Sequence, residues 1–161
     1  MMRSRTSPFV PVVTQDDGSN VLFELWRLGR AASALLTDDL AGAGVSSDEF
    51  GIYSVLASVD SMSPTALARW MSAPATTVSS HLKRLETRGH IVRRADPADR
   101  RGYLLELTPA GRDTFERATA IYVPILSRVQ QHLGKEEPTV RRALVTLRQA
   151  VDESGSHVPS P

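Results

Sequence analysis

The 161-residue sequence contains no cysteine. This absence excludes disulfide bonds, thiolate metal sites and any sensing mechanism that depends on thiol oxidation. It is compatible with a reducing cytoplasm, where we expect the protein to act. No apolar run approaches the ~20 residues that a membrane-spanning helix needs, so we predict no membrane partner. We interpret residues 1–19 as a flexible tail rather than a signal peptide, because their apolar stretch is short and broken by two prolines.

Motifs for catalysis and for metal binding are also lacking. The four histidines, at positions 81, 90, 132 and 157, do not have the spacing of metal ligands. The Gly-Ala-Gly stretch at 42–44 lacks the third glycine and the preceding strand of a dinucleotide-binding turn. No P-loop, nucleophile elbow or paired-carboxylate pattern is visible. We therefore predict that the protein is not an enzyme and that it holds no cofactor and no metal.

The charge of the chain is distributed unevenly, although its net value is only +1. Residues 62–112 contain nine basic and four acidic residues, whereas the rest of the chain contains ten basic and fourteen acidic residues. A basic middle between acidic ends favours a local site for a polyanion. The alternative is a chance cluster of charges on a solvated face.

The pattern of apolar residues predicts four helices, a hairpin and two more helices. Apolar positions follow helical spacing from Asn20, and again in two long segments after Thr108 and Lys135. Two short strands, HIVRR and YLLELT, flank the connection ADPADRRG. A middle of about fifty residues cannot cover the apolar stripes of three long helices, so we expect the terminal helices to pack together and against a second subunit.

The fourth predicted helix has two different sides. On a helical wheel, Val78, Leu82 and Leu85 cluster on a side that must face the core. The opposite side carries small hydroxyls followed by cations: Thr76, Ser80, Lys83 and Thr87, flanked by Ser79 and Arg84. Such a face suits the major groove of duplex DNA, and the hairpin beside it predicts a winged helix-turn-helix. The alternative is an ordinary solvated helix face, because Thr, Ser and Lys are common there.

The segment from Ser63 to Arg112 resembles the DNA-binding core of the MarR-like (multiple-antibiotic-resistance regulator) transcription factors. The matching features are Leu67-Ala68, Thr77-Val78, Leu85-Glu86, Gly89, Asp96-Pro97, Asp99-Arg100-Arg101 and Leu107-Thr108-Pro109-Ala110-Gly111. The resemblance implies a homodimer that binds DNA and usually represses, with its terminal helices at the dimer interface. It implies that the fourth helix enters the major groove and that a wing arginine reaches the minor groove.

Carried onto this sequence, the resemblance makes Arg101 the minor-groove arginine and Asp99 the carboxylate that orients it, with Arg100 beside them. Ala75 stands where many relatives have a longer polar side chain. We therefore assign base and phosphate contacts to other residues of the fourth helix: Thr76, Thr77, Ser79, Ser80, Lys83 and Arg84.

Three aromatic residues, Trp26, Tyr53 and Trp70, could line a pocket for a small aromatic effector of the kind that the resembled family often binds. The alternative, which we favour, is that they are ordinary core aromatics.

The predicted fold is mainly α with a small antiparallel β-hairpin, a winged helix-turn-helix with flanking helices that form a dimerisation region. The predicted function is a cytoplasmic regulator that binds a pseudo-palindromic operator in double-stranded DNA as a homodimer, as a repressor released by a ligand. The predicted divisions are a tail (1–19), N-terminal helices for dimerisation and support (20–60), the DNA-binding lobe (61–108), C-terminal dimerisation helices (109–153) and a tail (154–161). A rival interpretation is a winged-helix module that binds proteins and never touches DNA.

Overall fold

The structure is a computed structural model that describes residues 20–99 and 102–155. The helices are α1 (Val21–Ala41), α2 (Ser47–Ser58), α3 (Pro64–Trp70), α4 (Ala75–Thr87), α5 (Pro109–Leu133) and α6 (Glu137–Gly155). The strands are β1 (Ile91–Ala95) and β2 (Tyr103–Leu107), and a 3-10 turn, Gly134–Glu136, joins the last two helices. The predicted fold class and order of elements are confirmed. No helix in the described part of the chain is long and apolar enough to cross a membrane.

The first three helices begin at side chains that cap their free backbone N–H groups. Asn20 Oδ1 accepts from the N–H of Phe23 at 3.0 Å. Ser46 and Glu49 form a reciprocal capping box at the start of α2. Ser63 caps α3, where a proline takes the first helical position without losing a hydrogen bond. Local chemistry therefore fixes where these helices start.

The chain divides into two compact units, Met1–Ala118 and Thr119–Pro161. The core of the first unit draws on α1, α2, α3, α4 and β2, and its most deeply buried side chains are Leu40, Ile52, Tyr53, Leu56, Leu67, Val78, Leu82, Leu85 and Leu105. The first turns of α5 also belong to this unit, and the rings of Phe50 and Phe115 stack 5.9 Å apart. The unit boundary thus falls inside α5.

The second unit contains the rest of α5, the 3-10 turn and α6. Helix α6 is amphipathic by sequence, yet none of its residues is buried. It extends to Gly155, so it includes the first two residues of the predicted tail 154–161. The remainder of that tail and the predicted tail 1–19 lie outside the described residues.

The two strands pair antiparallel with Ile91 opposite Leu107 and Ala95 opposite Tyr103. Met62, just before α3, adds an isolated bridge to this hairpin through two backbone hydrogen bonds with Leu105, at 2.8 and 3.2 Å. The bridge ties the start of the helix-turn-helix to the wing. This bridge has no signal in the sequence, because a single bridging residue has no alternating pattern.

Candidate nucleic-acid interface

Helix α4 has the two sides that the sequence predicts. Val78, Leu82 and Leu85 are 1%, 1% and 0% exposed and face the core. The residues on the other side are all exposed: Thr76, Thr77, Ser79, Ser80 and Lys83. We call these five residues the α4 polar stripe. They lie together on one accessible surface of the first unit, as a contact with a nucleic acid requires.

The hydroxyls and the ammonium group of the α4 polar stripe differ in how they are engaged. Ser80 Oγ donates to the carbonyl of Thr76 at 3.0 Å, which leaves its oxygen as an acceptor. Lys83 has no ion-pair or hydrogen-bond partner for its ammonium group among the residues described. A compact cation without a partner is suited to a phosphate or a guanine edge. Lys83 is therefore the least committed charge on the helix.

The start of α4 also lacks a capping side chain. Its N-cap residue is Pro74, which makes no side-chain hydrogen bond to the helix. Backbone N–H groups of a first turn have no partner within the helix and carry partial positive charge. They add to the polar stripe a set of donors that suits an anion.

Arg84 was predicted to contact DNA, and the structure gives its guanidinium two protein partners. Its Nε donates to Glu49 Oε1 at 3.3 Å, and its terminal nitrogen donates to His81 Nδ1 at 2.7 Å. Arg88, one turn further along, bonds the same Glu49 oxygen and also the carbonyl of Gly44 at 2.9 Å. The cations on this side of α4 are thus occupied, unlike Lys83.

Glu49 is the centre of this cluster. It is 5% exposed, and it also accepts from the backbone N–H of Ser46 at 3.2 Å. Burial alone would raise the pKa of its carboxyl group, but the bond from Ser46 and the guanidinium groups of Arg88 and Arg84 outweigh that effect and lower the pKa. Glu49 therefore stays ionised, and it links the start of α2 to α4.

His81 is 8% exposed, so it is a packed side chain rather than part of the exposed side of α4. Because arginine can only donate, its bond to Nδ1 places the ring proton on Nε2. Nε2 lies 3.7 Å from Asp48 Oδ2 in the first turn of α2. His81 is thus a further link between α2 and α4.

The two arginines of β1 are paired with carboxylates of α4 and of β2. Arg93 makes a two-pronged bond with Glu86 of α4, and its guanidinium lies 4.3 Å from the ring centroid of Tyr103. The pairing with Glu86 raises the pKa of Arg93. Arg94 lies 3.4 Å from Glu106 on the neighbouring strand. These ion pairs join the hairpin to α4 and its two strands to each other.

The described part of the wing tip is a tight turn. Asp96 Oδ1 accepts from the N–H of Ala98 at 2.8 Å, and Asp99 O accepts from the N–H of Gly102 at 2.9 Å. A side chain at Gly102 would meet the Asp99 carboxylate at 3.0 Å, so that carboxylate lies over the glycine. The predicted contact residues Arg100 and Arg101 lie outside the described residues.

The three aromatic residues of the predicted effector pocket differ in exposure. Trp26 and Trp70 are 60% and 57% exposed, whereas Tyr53 is fully buried. The hydroxyl of Tyr53 lies 2.6 Å from Nδ1 of His90, the residue that precedes β1. Burial raises the pKa of Tyr53, and burial together with the nearby arginines lowers the pKa of His90. Of the three, only Tyr53 is a core aromatic, so the favoured interpretation of ordinary core residues fits one of them.

Within residues 20–99 and 102–155 no group of three or more histidines and carboxylates could hold a metal ion. Glu49 and Arg88 are functional residues that the sequence alone does not reveal. Ser46-x-x-Glu49 is recognisable as a capping box, but partners 35 and 39 positions away in sequence are not.

Comparisons with known proteins point to one family. A model of the MarR family matches residues 43–102. The chain is 29% identical over 107 residues to the uncharacterized HTH-type transcriptional regulator YdgJ of Bacillus subtilis (strain 168). That match covers 66% of this chain and 63% of the relative, so it spans less than two thirds of the relative's length.

Solved structures agree with this result. A probable transcriptional regulator from Pseudomonas aeruginosa is 28% identical, with a TM-score of 0.70 over 83% of this chain and 98% of that chain. The M. tuberculosis transcriptional regulator MosR, solved in complex with DNA, has a TM-score of 0.74 at 22% identity, over 84% of this chain and 98% of that chain. The second match shows a shared fold.

Proposed function

We propose that the chain is a transcriptional regulator of the MarR family, whose model matches residues 43–102, and that it binds double-stranded DNA as a homodimer. The observation that carries this proposal is the α4 polar stripe. It places five exposed polar side chains beside an uncapped helix start, with an unpartnered ammonium group at Lys83 among the described residues. A helix of this kind can enter the major groove with its first turns at the base edges.

Within this proposal, the hydroxyls of Thr76, Thr77, Ser79 and Ser80 contact base edges or phosphates, and Lys83 contacts phosphate or guanine. Arg84 lies at the edge of the stripe, where it already bonds Glu49. In the wing, Arg101 reaches the minor groove, oriented by Asp99, with Arg100 beside it. MosR, which shares the fold, was solved in complex with DNA, and this supports DNA as the partner.

Exposed apolar side chains support the homodimer. Large hydrophobic residues are more than a third exposed on three helices: Val21, Leu22, Leu28 and Leu35 on α1, Val123, Leu126 and Val129 on α5, and Leu144, Val145 and Val151 on α6. Apolar stripes of this extent mark surfaces that bind another protein. A two-fold dimer would cover them by self-association and would space the two α4 helices about 34 Å, or ~10 base pairs, apart.

We further propose that the protein is a repressor that a small aromatic ligand releases from its operator. Trp26 and Trp70 support this part, because both indole rings are more than half exposed in the first unit. Exposed tryptophans give a flat apolar surface for an aromatic ligand. A regulator of transcription acts at the chromosome, so we place the protein in the cytoplasm, with no catalytic activity of its own.

The DNA part is tested by selecting duplexes from a random-sequence pool and measuring affinity against salt. Lys83→Ala should reduce the slope of log affinity against log salt by about one if Lys83 meets phosphate, and should alter base preference if it reads sequence. Lys135→Ala removes the same charge from the 3-10 turn of the second unit and should change neither. If the parent showed no retention on heparin or on any duplex at low salt, the protein-binding module would be the better interpretation.

The dimer is tested by sedimentation. Leu144→Glu places a charge among the exposed apolar side chains of α6 and should convert dimer to monomer. Gln149→Glu introduces the same charge on the same helix at a position that is already polar. A dimer that survived Leu144→Glu and Val145→Glu alike would contradict the assignment of α6 to the interface.

The effector is tested with a panel of small aromatic acids. The chain contains two tryptophans, so single replacements by phenylalanine assign any fluorescence change to Trp26 or Trp70. A ligand that releases the selected duplex should change the signal of at least one. Release by a compound that alters neither signal would remove these residues from the ligand site.

A further inference from the structure

One side of α4 contacts the start of α2 through polar and charged side chains. His81, Arg84 and Arg88 form a stripe along α4, and each bonds or faces an acidic residue in the first turn of α2. The acidic partners are Asp48 for the histidine and Glu49 for both arginines. This clamp stripe holds the two helices together at three successive points.

The clamp stripe adjoins the α4 polar stripe. At about 100° per residue, His81, Arg84 and Arg88 fall within about 60° of one another, next to the sector of Ser80 and Lys83. A rotation of α4 about its own axis would therefore strain the bonds of the clamp stripe. The same rotation would turn the α4 polar stripe away from the DNA. The buried Val78, Leu82 and Leu85 keep one side of α4 against the core, and the directional bonds to Glu49 restrict the rotation that remains.

Glu49 is the residue on which the clamp depends. Its side chain is 6% exposed, whereas those of Arg84 and Arg88 are 53% and 33% exposed. If these bonds broke, the two guanidinium groups could be solvated by water, but the buried carboxylate would be left as an unpaired charge. The cost of that unpaired charge keeps the arginines bonded to Glu49. Charge-assisted bonds have stricter geometry than apolar contacts, which makes them suited to fixing an angle.

We propose that Glu49 is a positioning residue that fixes the rotation of α4, and thereby determines how well the protein distinguishes its operator from other DNA. Arg84 and Arg88 act through Glu49 rather than by binding DNA. This inference rests on the proposed function, since it concerns how α4 meets a duplex.

The test compares Glu49→Gln with the parent on two duplexes: one that the parent selects from a random pool, and a shuffled duplex of equal length and composition. Glutamine keeps the size and removes the charge. The ratio of the two affinities should fall by about tenfold, the effect of one lost charge-assisted bond. Affinity for the shuffled duplex should stay or rise, because the variant carries one more net positive charge.

Ser46→Ala is the matched control. It removes the side-chain cap of the same helix, α2, and leaves the bonds to Arg84 and Arg88 intact. Both variants are compared well below their thermal midpoints. If Ser46→Ala lowered the affinity ratio as much as Glu49→Gln does, loosening α2 would be sufficient to reduce discrimination between the two duplexes. That result would overturn the specific role of Glu49.

Arg84→Gln distinguishes positioning from direct contact. The proposal expects a lower affinity ratio with an unchanged salt slope, and a double variant with Glu49→Gln that is no worse than either single variant. A salt slope reduced by about one would mean that Arg84 binds phosphate, and would overturn the proposal. If the parent selected a duplex and Glu49→Gln kept the parent's ratio, only the positioning role would be wrong. If the parent selected none, the proposed function would be wrong as well.

Discussion

Replacing Gly111 with alanine should destabilise the first unit strongly. Gly111 lies in the first turn of α5, and a Cβ atom there would be 2.1 Å from the carbonyl oxygen of His90. That carbonyl already accepts from the N–H of Thr108 at 3.0 Å. Thr108 Oγ1 donates to the carbonyl of Gly89 at 2.7 Å and accepts from the N–H of Gly111 at 3.1 Å. The end of α4, the start of β1 and the start of α5 therefore meet at one point.

The magnitude follows from how far the backbone must move. Real Cβ atoms do not approach an oxygen closer than 3.0 Å, so α5 and His90 must separate by about 1 Å. Overpacking of this kind costs about 1–3 kcal/mol, and the loss of one or two hydrogen bonds adds about 1 kcal/mol each. Alanine stabilises a helix by roughly 1 kcal/mol relative to glycine, which offsets part of this cost. The free energy of unfolding should fall by about 1–4 kcal/mol.

The assay is denaturant unfolding followed by circular dichroism. Gly51→Ala is the control, because it makes the same substitution inside α2 of the same unit, where a Cβ atom would be 4.0 Å from the Trp70 ring. That variant should be as stable as the parent or slightly more stable. A Gly111→Ala protein as stable as Gly51→Ala would refute the reasoning, because it would show that α5 and His90 can separate without loss of stability.

Two further predictions concern stability. The pKa of His90 is lowered from its usual 6.5, so between that value and its folded pKa the unfolded chain binds more protons. Stability should therefore fall as the pH drops below 6.5, and His90→Asn should remove that part of the pH profile; an identical profile for both proteins would contradict this. Ser72, in the turn before α4, has a φ of 49°, a conformation that costs a side chain about 1 kcal/mol. Ser72→Gly should raise the midpoint of thermal unfolding by a few degrees, and a lower midpoint would contradict the strain.

Much of the fold could be predicted because its signals are local. Ser63 and Pro64 mark the start of α3 in sequence as in structure, and the two sides of α4 follow from residue spacing alone. The bridge from Met62 to Leu105 could not be predicted, because it depends on where α3 lies relative to the wing. Periodicity describes each element and gives no information about the distance between elements.

The candidate site shows the same limit. The sequence indicates correctly that Ser80 and Lys83 are exposed and that Val78 is buried. It offers no means to tell Lys83 from Arg84, one residue later, although the first is unpartnered among the described residues and the second bonds a buried carboxylate. The difference arises from Glu49, which is 35 positions away in sequence. Which cation is available to a ligand is a property of the tertiary structure.

This distinction changes how the basic middle of the chain should be counted. Of its nine basic residues, four are paired with carboxylates, namely Arg84, Arg88, Arg93 and Arg94. Three more have no side-chain ion-pair partner within the described part of the chain, namely Arg69, Lys83 and Arg112. With the two proposed wing arginines, at most about five cations per subunit remain for phosphates, and the salt slope should not exceed about 4.5 per subunit. Nine available cations would give a slope of about 8. The affinity for the selected duplex, measured from low to moderate salt, distinguishes the two slopes. A slope near 8 would mean that the paired arginines leave their carboxylates on DNA, and that the clamp between α2 and α4 opens when the protein binds.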